Sequence, residues 1–294
     1  MDFVPFDDRE GHIWMNGAFC AWRDAKVHLL THSLHYGSAV FEGERAYGGE
    51  IFRSMDHARR LVGSARILDY EIPYSAEAID QAKREVLAKS GLGDAYVRAI
   101  AWRGSEKMGL SAKDNTIHLA IAAWAWGDYF EDKMAGIRLA MADWKRPSPE
   151  TAPHDAKAAG LYMICTMSKH AAERAGYADA LMLDYRGLVA EATGANVFFQ
   201  RDGALHTPTP DCFLNGLTRQ TVIALARARG IEVVERQIHP DELASFQECF
   251  ITGSAAEITP VREIAGQSYR PGVLTETLME DYTRATRGAI PVPA

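Results

Sequence analysis

Cysteine is scarce in this sequence: the four copies, Cys20, Cys165, Cys212 and Cys249, lie far apart and form no CxxC pair. That spacing supplies neither a zinc knuckle nor a disulfide framework, which fits a reducing compartment. The ten histidines contain no HExxH, and His32 and His35 before Tyr36 lack a convincing ligand spacing, so no metal site is expected. GxSxG, GxGxxG and GxxxxGK[ST] are missing too, which removes the hydrolase elbow and the common nucleotide loops. Long apolar runs are absent: the longest, Leu119 to Trp126, has eight residues, against the roughly 20 a membrane helix needs. Positive charge is not in excess, since 32 basic side chains face 39 acidic ones for a net −7. A basic nucleic-acid footprint is therefore missing. The acidic opening, Asp2 to Gly11, lacks the positive start of a secretory leader. The expectation is a cytoplasmic protein with neither nucleic acid nor membrane as partner.

What the sequence does contain is ordinary globular material, 47% hydrophobic and 24% charged over 294 residues. At roughly 150 residues per domain that length suggests two domains. The polar stretch 127–136 between two apolar strands predicts a linker, with a small domain over 1–126 and a larger one over 137–294. Apolar periodicity predicts helices near 55–70, 76–90, 158–175 and 218–229. Strands are predicted over 12–20, 26–30, 41–47, 95–102, 116–126, 137–143, 180–184, 188–191, 231–237 and 248–252. Strands and helices cluster without strict βαβα alternation, which points to an α+β fold.

Lysine is rare enough, at nine copies, to inspect one by one. Most have charged or polar neighbours and read as solvated, whereas Lys157 sits among small residues in Asp155-Ala-Lys-Ala-Ala-Gly160. A lysine in a tight, weakly polar pocket is held neutral and can form a Schiff base. The same position also suits a helix-entry lysine reaching out to water. Glu191 ends a strand before a glycine turn, where a carboxylate caps the turn or binds a protonated ring nitrogen. Thr218 opens a helix after Leu214-Asn-Gly-Leu217, as a simple N-cap or as part of a phosphate seat. Gly253-Ser-Ala-Ala256 is a second small-residue turn, and Arg60 is either a phosphate's charge partner or a solvated helix residue. Period two places Phe41, Gly43 and Arg45 on one strand face, and Tyr96 with Arg98 on another. An aromatic wall, a glycine gap and arginines suit an apolar side chain and a carboxylate; each alone also suits sheet packing.

Taken together, Ile13–Gly17, His32–Gly43, Ala156–Gly160, Glu191–Phe198 and Gly253–Val261 resemble the fold-type IV pyridoxal-phosphate enzymes, and among them the branched-chain amino acid aminotransferases. The resemblance implies an α+β fold of two α/β domains, with the cofactor at their interface. It implies transfer of amino groups from leucine, isoleucine and valine to 2-oxoglutarate, giving branched-chain 2-oxo acids and L-glutamate. Carried over residue by residue, Lys157 is the catalytic lysine that holds pyridoxal 5'-phosphate as a Schiff base. Glu191 pairs with the ring nitrogen, Tyr162 with the phenolic oxygen, and Asn196 adds a further cofactor contact. Arg60, Leu217, Thr218 and Ser254 form the phosphate cup. Tyr36, Phe41, Trp126 and Tyr162 line the side-chain pocket, beside Gly43, Arg45, Tyr96 and Arg98, while Ser254-Ala255-Ala256 helps hold the α-carboxylate. A homodimer or a larger assembly such as a hexamer is implied as well. D-amino acid and R-selective amine transaminases and aminodeoxychorismate lyases share the cofactor site and stand as alternatives, as does a catalytically silent binding protein. Three positions depart from the family pattern: Glu44 where an apolar residue is usual, Leu161 for Asn, and Asn215 for Pro. Glu44, nearest the substrate strand, is expected to bear on substrate range.

Overall fold

A computed structural model describes residues 4–127 and 134–293; positions 128–133 of the expected linker fall outside the described residues. The chain divides into two compact units, Met1–Gly127 with Ala156–Gly160, and Asp128–Asp155 with Leu161–Ala294.

In the first unit, β1 (His12–Met15), β2 (Ala18–Ala21), β3 (Val40–Phe41), β4 (Glu44–Tyr47), β5 (Glu50–Ile51), β6 (Ala95–Arg103) and β7 (Ile117–Ala125) form an antiparallel sheet among the described residues. Its order is β2-β1-β7-β6-β4-β5, with β3 also on β6. Two nine-residue strands, β6 and β7, pair along their whole length and form its spine. Alternation sends Val97, Ala99 and Ala101, with Leu119, Ile121 and Ala123, to one buried face. There they meet Ala58, Leu61 and Ala65 of α2 (Ser54–Ile67) and Ile79, Ala82 and Val86 of α3 (Ala76–Ser90). The α3 boundaries follow local chemistry: Ser75 Oγ accepts from Ala78 N, and Gly91 closes the helix at φ 68°. The predicted strand 41–47 is interrupted at Glu42–Gly43, although Glu42 N still donates to Ala99 O at 2.8 Å. Residues 26–30 are not a strand: among the described residues no strand pairs with them, and Val27 and Leu29 stay exposed. Before β3, α1 (His32–Tyr36) ends at Gly37 in the left-handed conformation, φ 66°.

The second unit is built on nine strands among the described residues. In chain order they are β8 (Ile137–Met141), β9 (Asp179–Leu183), β10 (Val189–Ala192), β11 (Asn196–Arg201), β12 (Ala204–Pro208), β13 (Val233–Arg236), β14 (Glu248–Gly253), β15 (Glu257–Ile264) and β16 (Gln267–Ser268). The order is β10-β9-β8-β15-β14-β11-β12-β13, with β16 on β15, and β8 runs parallel to both of its neighbours. The helices are α4 (Met163–Arg174), α5 (Leu217–Ala228) and α6 (Val273–Thr286). Sequence reasoning did not find β11, β12, β15, β16 or α6. The hairpin of β11 and β12 did carry a signal: Asp202-Gly203 turns it with φ of 54° and 81°, a pairing that suits a tight two-residue turn.

Candidate functional site

Lys157 was expected in the larger C-terminal domain, but its segment is part of the first unit. Backbone bonding is the reason. Val40 and Ala158 form an antiparallel bridge, Phe41 N donates to Lys157 O at 3.1 Å, Ala159 N to Ala39 O at 2.8 Å, and Gly160 N to Gly37 O at 3.1 Å. Lys157 N in turn donates to Ser64 Oγ of α2 at 3.0 Å. The approach is tight enough that a Cβ on Gly160 would come within 2.9 Å of Gly37 O. The half-buried Lys157 thus has a fixed backbone, and its Nζ lies 4.9 Å from the centre of the Phe41 ring.

Around that ring the sheet face opposite the helices gathers the other substrate candidates. Arg45 is registered across from Tyr96, and Phe41 across from Ile100, so Phe41, Arg45, Tyr96 and Arg98 share this face. The Arg98 guanidinium lies 4.7 Å from the Phe41 ring centre and donates through Nη2 to Tyr96 Oη at 3.3 Å. Tyr96 is flanked by Trp126 at 4.8 Å and Trp124 at 5.1 Å between ring centres. Gly43 leaves the gap that this wall needs, since a Cβ there would sit 1.9 Å from Tyr96 Oη. On the same side, a cavity of about 500 Å³ is lined mostly by apolar groups, including Leu34, Ile100, Ala120 and Gly160. Tyr36 is engaged elsewhere, its hydroxyl donating to Met108 O at 3.0 Å and its ring stacked on His32. Arg60 is on α2, where Glu42 accepts from its Nε and Nη2, each at 2.7 Å.

The second unit holds the remaining candidates. Glu191 lies directly across from Asn196 in the β10–β11 pair. Asn196 Nδ2 donates to Glu191 Oε2 at 3.1 Å and to Leu214 O at 3.0 Å, while its Oδ1 accepts from Gly216 N at 3.1 Å. One amide therefore ties the carboxylate to the loop that opens α5, and only glycine fits at 216, where a Cβ would lie 2.4 Å from Asn196 Oδ1. Sequence reasoning missed Arg146, whose buried guanidinium places Nε 3.3 Å from Glu191 Oε1 and whose Nη1 lies near Leu161 O and Cys165 Sγ. Burial works against charge on Arg146, yet Glu191 above all, then Cys165 and Tyr162, hold its pKa above the ordinary value. Burial pushes the Cys165 thiol up to about 11, so it stays neutral at physiological pH. At the start of α5, Leu217 and Thr218 are buried behind Gly216, which offers no side-chain cap. Ser254, Ala255 and Ala256 form the turn from β14 to β15, with Gly253 close against Gly194.

These groups suit a pyridinium ring and a phosphate. A buried carboxylate braced by an arginine and an amide is an acceptor for a protonated ring nitrogen. The uncapped start of the twelve-residue α5, opened by Gly216 and Thr218, is a seat for an anion.

The three departures resolve into neighbours. Glu44 is registered opposite Val97 and so belongs to the helix side of the sheet, away from Arg45 and Gly43. There its Oε2 accepts from Lys83 Nζ at 2.7 Å, both side chains being wholly buried. The expected bearing of Glu44 on substrate range therefore lacks a contact to act through, and Lys83 is not the solvated lysine its neighbours suggested. Asn215 Oδ1 accepts from Arg219 Nη1 at 3.0 Å, and the buried Arg219 also donates to Pro208 O and Glu235. Leu161 contributes its carbonyl to Arg146. Neither Arg146 nor Arg219 carried a sequence signal, because an arginine beside a proline-rich bend or in a first helical turn is ordinarily solvated. Among the described residues one group has metal-ligand spacing, Asp184, Asp211 and Cys212, and Arg186 donates to both of its carboxylates.

Comparison with known proteins places these features in context. The family description "Amino-transferase class IV" matches residues 39–264. A branched-chain-amino-acid aminotransferase of Pseudomonas aeruginosa is 41% identical over 284 residues, covering 94% of this chain and 92% of the relative. The crystal structure of a branched-chain aminotransferase from Thermoproteus uzoniensis with norvaline superposes with a TM-score of 0.93 at 36% identity, over 96% of this chain and 97% of that one. The Escherichia coli branched-chain amino acid aminotransferase gives a TM-score of 0.90 at 36% identity, over 95% of this chain and 94% of that one. Another solved branched-chain amino acid aminotransferase, with pyridoxamine 5'-phosphate, gives a TM-score of 0.93 at 38% identity, over 96% of each chain.

Proposed function

This chain belongs to the class IV aminotransferase family, and from that premise we propose that it transfers the amino group of branched-chain L-amino acids to 2-oxoglutarate with pyridoxal 5'-phosphate. The observation that carries the substrate reading is the single sheet face that joins Lys157, Phe41, Gly43, Arg45, Tyr96, Arg98 and Trp126. Apolar rings and an apolar cavity beside two arginines match a donor that is aliphatic at one end and carboxylate at the other. Relatives crystallised with norvaline and with pyridoxamine 5'-phosphate agree with that donor class and that cofactor.

In this reading Lys157 Nζ would hold the cofactor until the substrate amine displaces it, and the freed amine would then move the proton from the substrate Cα to the cofactor's C4′, acting as general base and then as general acid. The bound cofactor supplies an aldehyde that accepts the amino group and a ring that withdraws electron density. Glu191, gripped between Arg146 and Asn196, would pair with the ring nitrogen and favour its protonated form. Tyr162 orients the phenolic oxygen. Arg60, Leu217, Thr218 and Ser254 anchor the phosphate. The Ser254-Ala255-Ala256 turn, together with the arginines, receives carboxylate groups. Phe41 and Trp126 border the side-chain pocket, whereas Tyr36 is bonded to Met108 O apart from them.

We also propose a cytoplasmic homodimer. Its support is the exposed apolar set of Val27, Leu29, Leu34 and Leu110 in the first unit, which an isolated chain would leave in water.

The test is a half-reaction followed by cofactor absorbance, with L-leucine, D-alanine and an (R)-arylalkylamine offered separately. Conversion with L-leucine alone is expected; conversion with either of the others would reassign the donor class. Lys157→Ala is expected to lower turnover by at least about three orders of magnitude, and substantial residual activity would remove Lys157 from its role.

A further inference from the structure

Glu42 and Glu44 are two residues apart and both wholly buried on the helix side of the first unit, yet each has its own partners. Glu44 is taken by Lys83 Nζ, which also donates to Ser54 O at 2.6 Å. Glu42 is taken by α2. Arg60 Nε and Nη2 donate to its two oxygens at 2.7 Å each, and His57 Nδ1 lies 2.7 Å from Oε2. His57 and Arg60 are one turn apart on the same face of α2, so a single carboxylate grips the helix at two points. A bidentate fork fixes the plane of a guanidinium as well as its position, which a single hydrogen bond does not. Glu42 N is itself bonded to Ala99 O, so the carboxylate rises from the link between β3 and β4 where the backbone is tied to β6.

We propose that Glu42, braced by His57, is a positioning residue that presents the Arg60 guanidinium in a fixed orientation to the cofactor phosphate. The inference rests on the reading of Arg60 given above and deepens it. Lys83 has a part in keeping this arrangement selective: by neutralising Glu44 it leaves Glu42 committed to Arg60 and His57. Burial alone would push the Glu42 carboxyl up, but Arg60 and then His57 outweigh it and hold the group well below the usual carboxylate range.

The experiment compares two probes on the full-length chain after removal of bound cofactor: pyridoxal 5'-phosphate and pyridoxal, which lacks the phosphate. Glu42→Gln keeps the volume and loses the charge. Its dissociation constant for the phosphate ester is expected to rise about tenfold, with less than about a twofold change for pyridoxal. His57→Gln removes only the brace and is expected to show the same selective effect at about threefold, so the inference stays testable if the Glu42 variant does not fold. Arg60→Lys serves as the reference. If it weakens the phosphate ester selectively while neither Glu42→Gln nor His57→Gln does, the positioning role is overturned. If Glu42→Gln weakens both probes equally, Glu42 is structural and the role is again overturned. If Arg60→Lys itself leaves the two probes in their original ratio, the reading of Arg60 fails and the inference falls with it.

Discussion

Gly43 has no space for a side chain, and the neighbour it would strike is itself confined. A Cβ would lie 1.9 Å from Tyr96 Oη and 2.9 Å from Cζ, while the Tyr96 ring is packed against Trp124 and Trp126 and bonded by Arg98. The ring must tilt toward the cavity side if Gly43 gains a methyl group. Gly43→Ala is therefore expected to raise KM for L-leucine by about an order of magnitude, corresponding to about 1.4 kcal/mol, with cofactor affinity unchanged. Steady-state kinetics beside a cofactor titration check this, and an unchanged KM would show that Tyr96 does not border the substrate. Period two in Phe41–Arg45 and in Tyr96–Arg98 was legible and correct as to face, because pleating permits only two directions. Which partner a side chain finds across that face was not legible. Glu44 and Lys83 are 39 residues apart, and neither neighbourhood hints at the other.

At the scale of elements, the Glu44–Lys83 pair joins β4 to α3 through charge where the surrounding core is Ile79, Val86 and Ala46. Burial pushes the Glu44 carboxyl up from its ordinary value despite the pull of His57 and Lys83, a sign of how poorly this site tolerates an unpaired charge. Lys83→Met strands the carboxylate and is expected to cost about 3–5 kcal/mol in urea unfolding. Glu44→Leu with Lys83→Met replaces the pair by apolar volume and is expected to fall within about 1 kcal/mol of the parent, or above it. Additive losses in this double-mutant cycle would mean that the two side chains do not interact. Elements also differ in how clearly they announce themselves. α3 was legible to the residue, since Ser75 and Gly91 bracket an amphipathic run. The strand predicted over 26–30 was apolar in pattern but had no edge to pair with, and strand structure depends on a partner as helix structure does not.

The whole molecule brings together what distance in the chain separates. Lys157 joins the first unit by strand-like bonding to residues 37–41, more than 100 positions earlier. The exposed apolar side chains of that unit, Leu34 at 63% and Leu110 at 87%, underlie the proposed association. Sedimentation is expected to give twice the chain mass of 32.5 kDa or a multiple of that dimer, and Leu34→Asp to shift the population toward monomer. A monomer throughout would refute the proposed assembly. The family, the reaction class and the local elements with strong caps and periodicity were legible in the chain alone, because these reside in contiguous residues whose chemistry is fixed by their nearest neighbours. Folding alone brings Lys157 into the first unit, turns Glu44 away from the substrate face, and sets Arg146 and Asn196 on two sides of Glu191. The physical reason is that these are pairings between distant segments. Neither a period of two nor one of 3.6 encodes a partner, and the charge of a buried group is set by whichever side chain the fold brings against it.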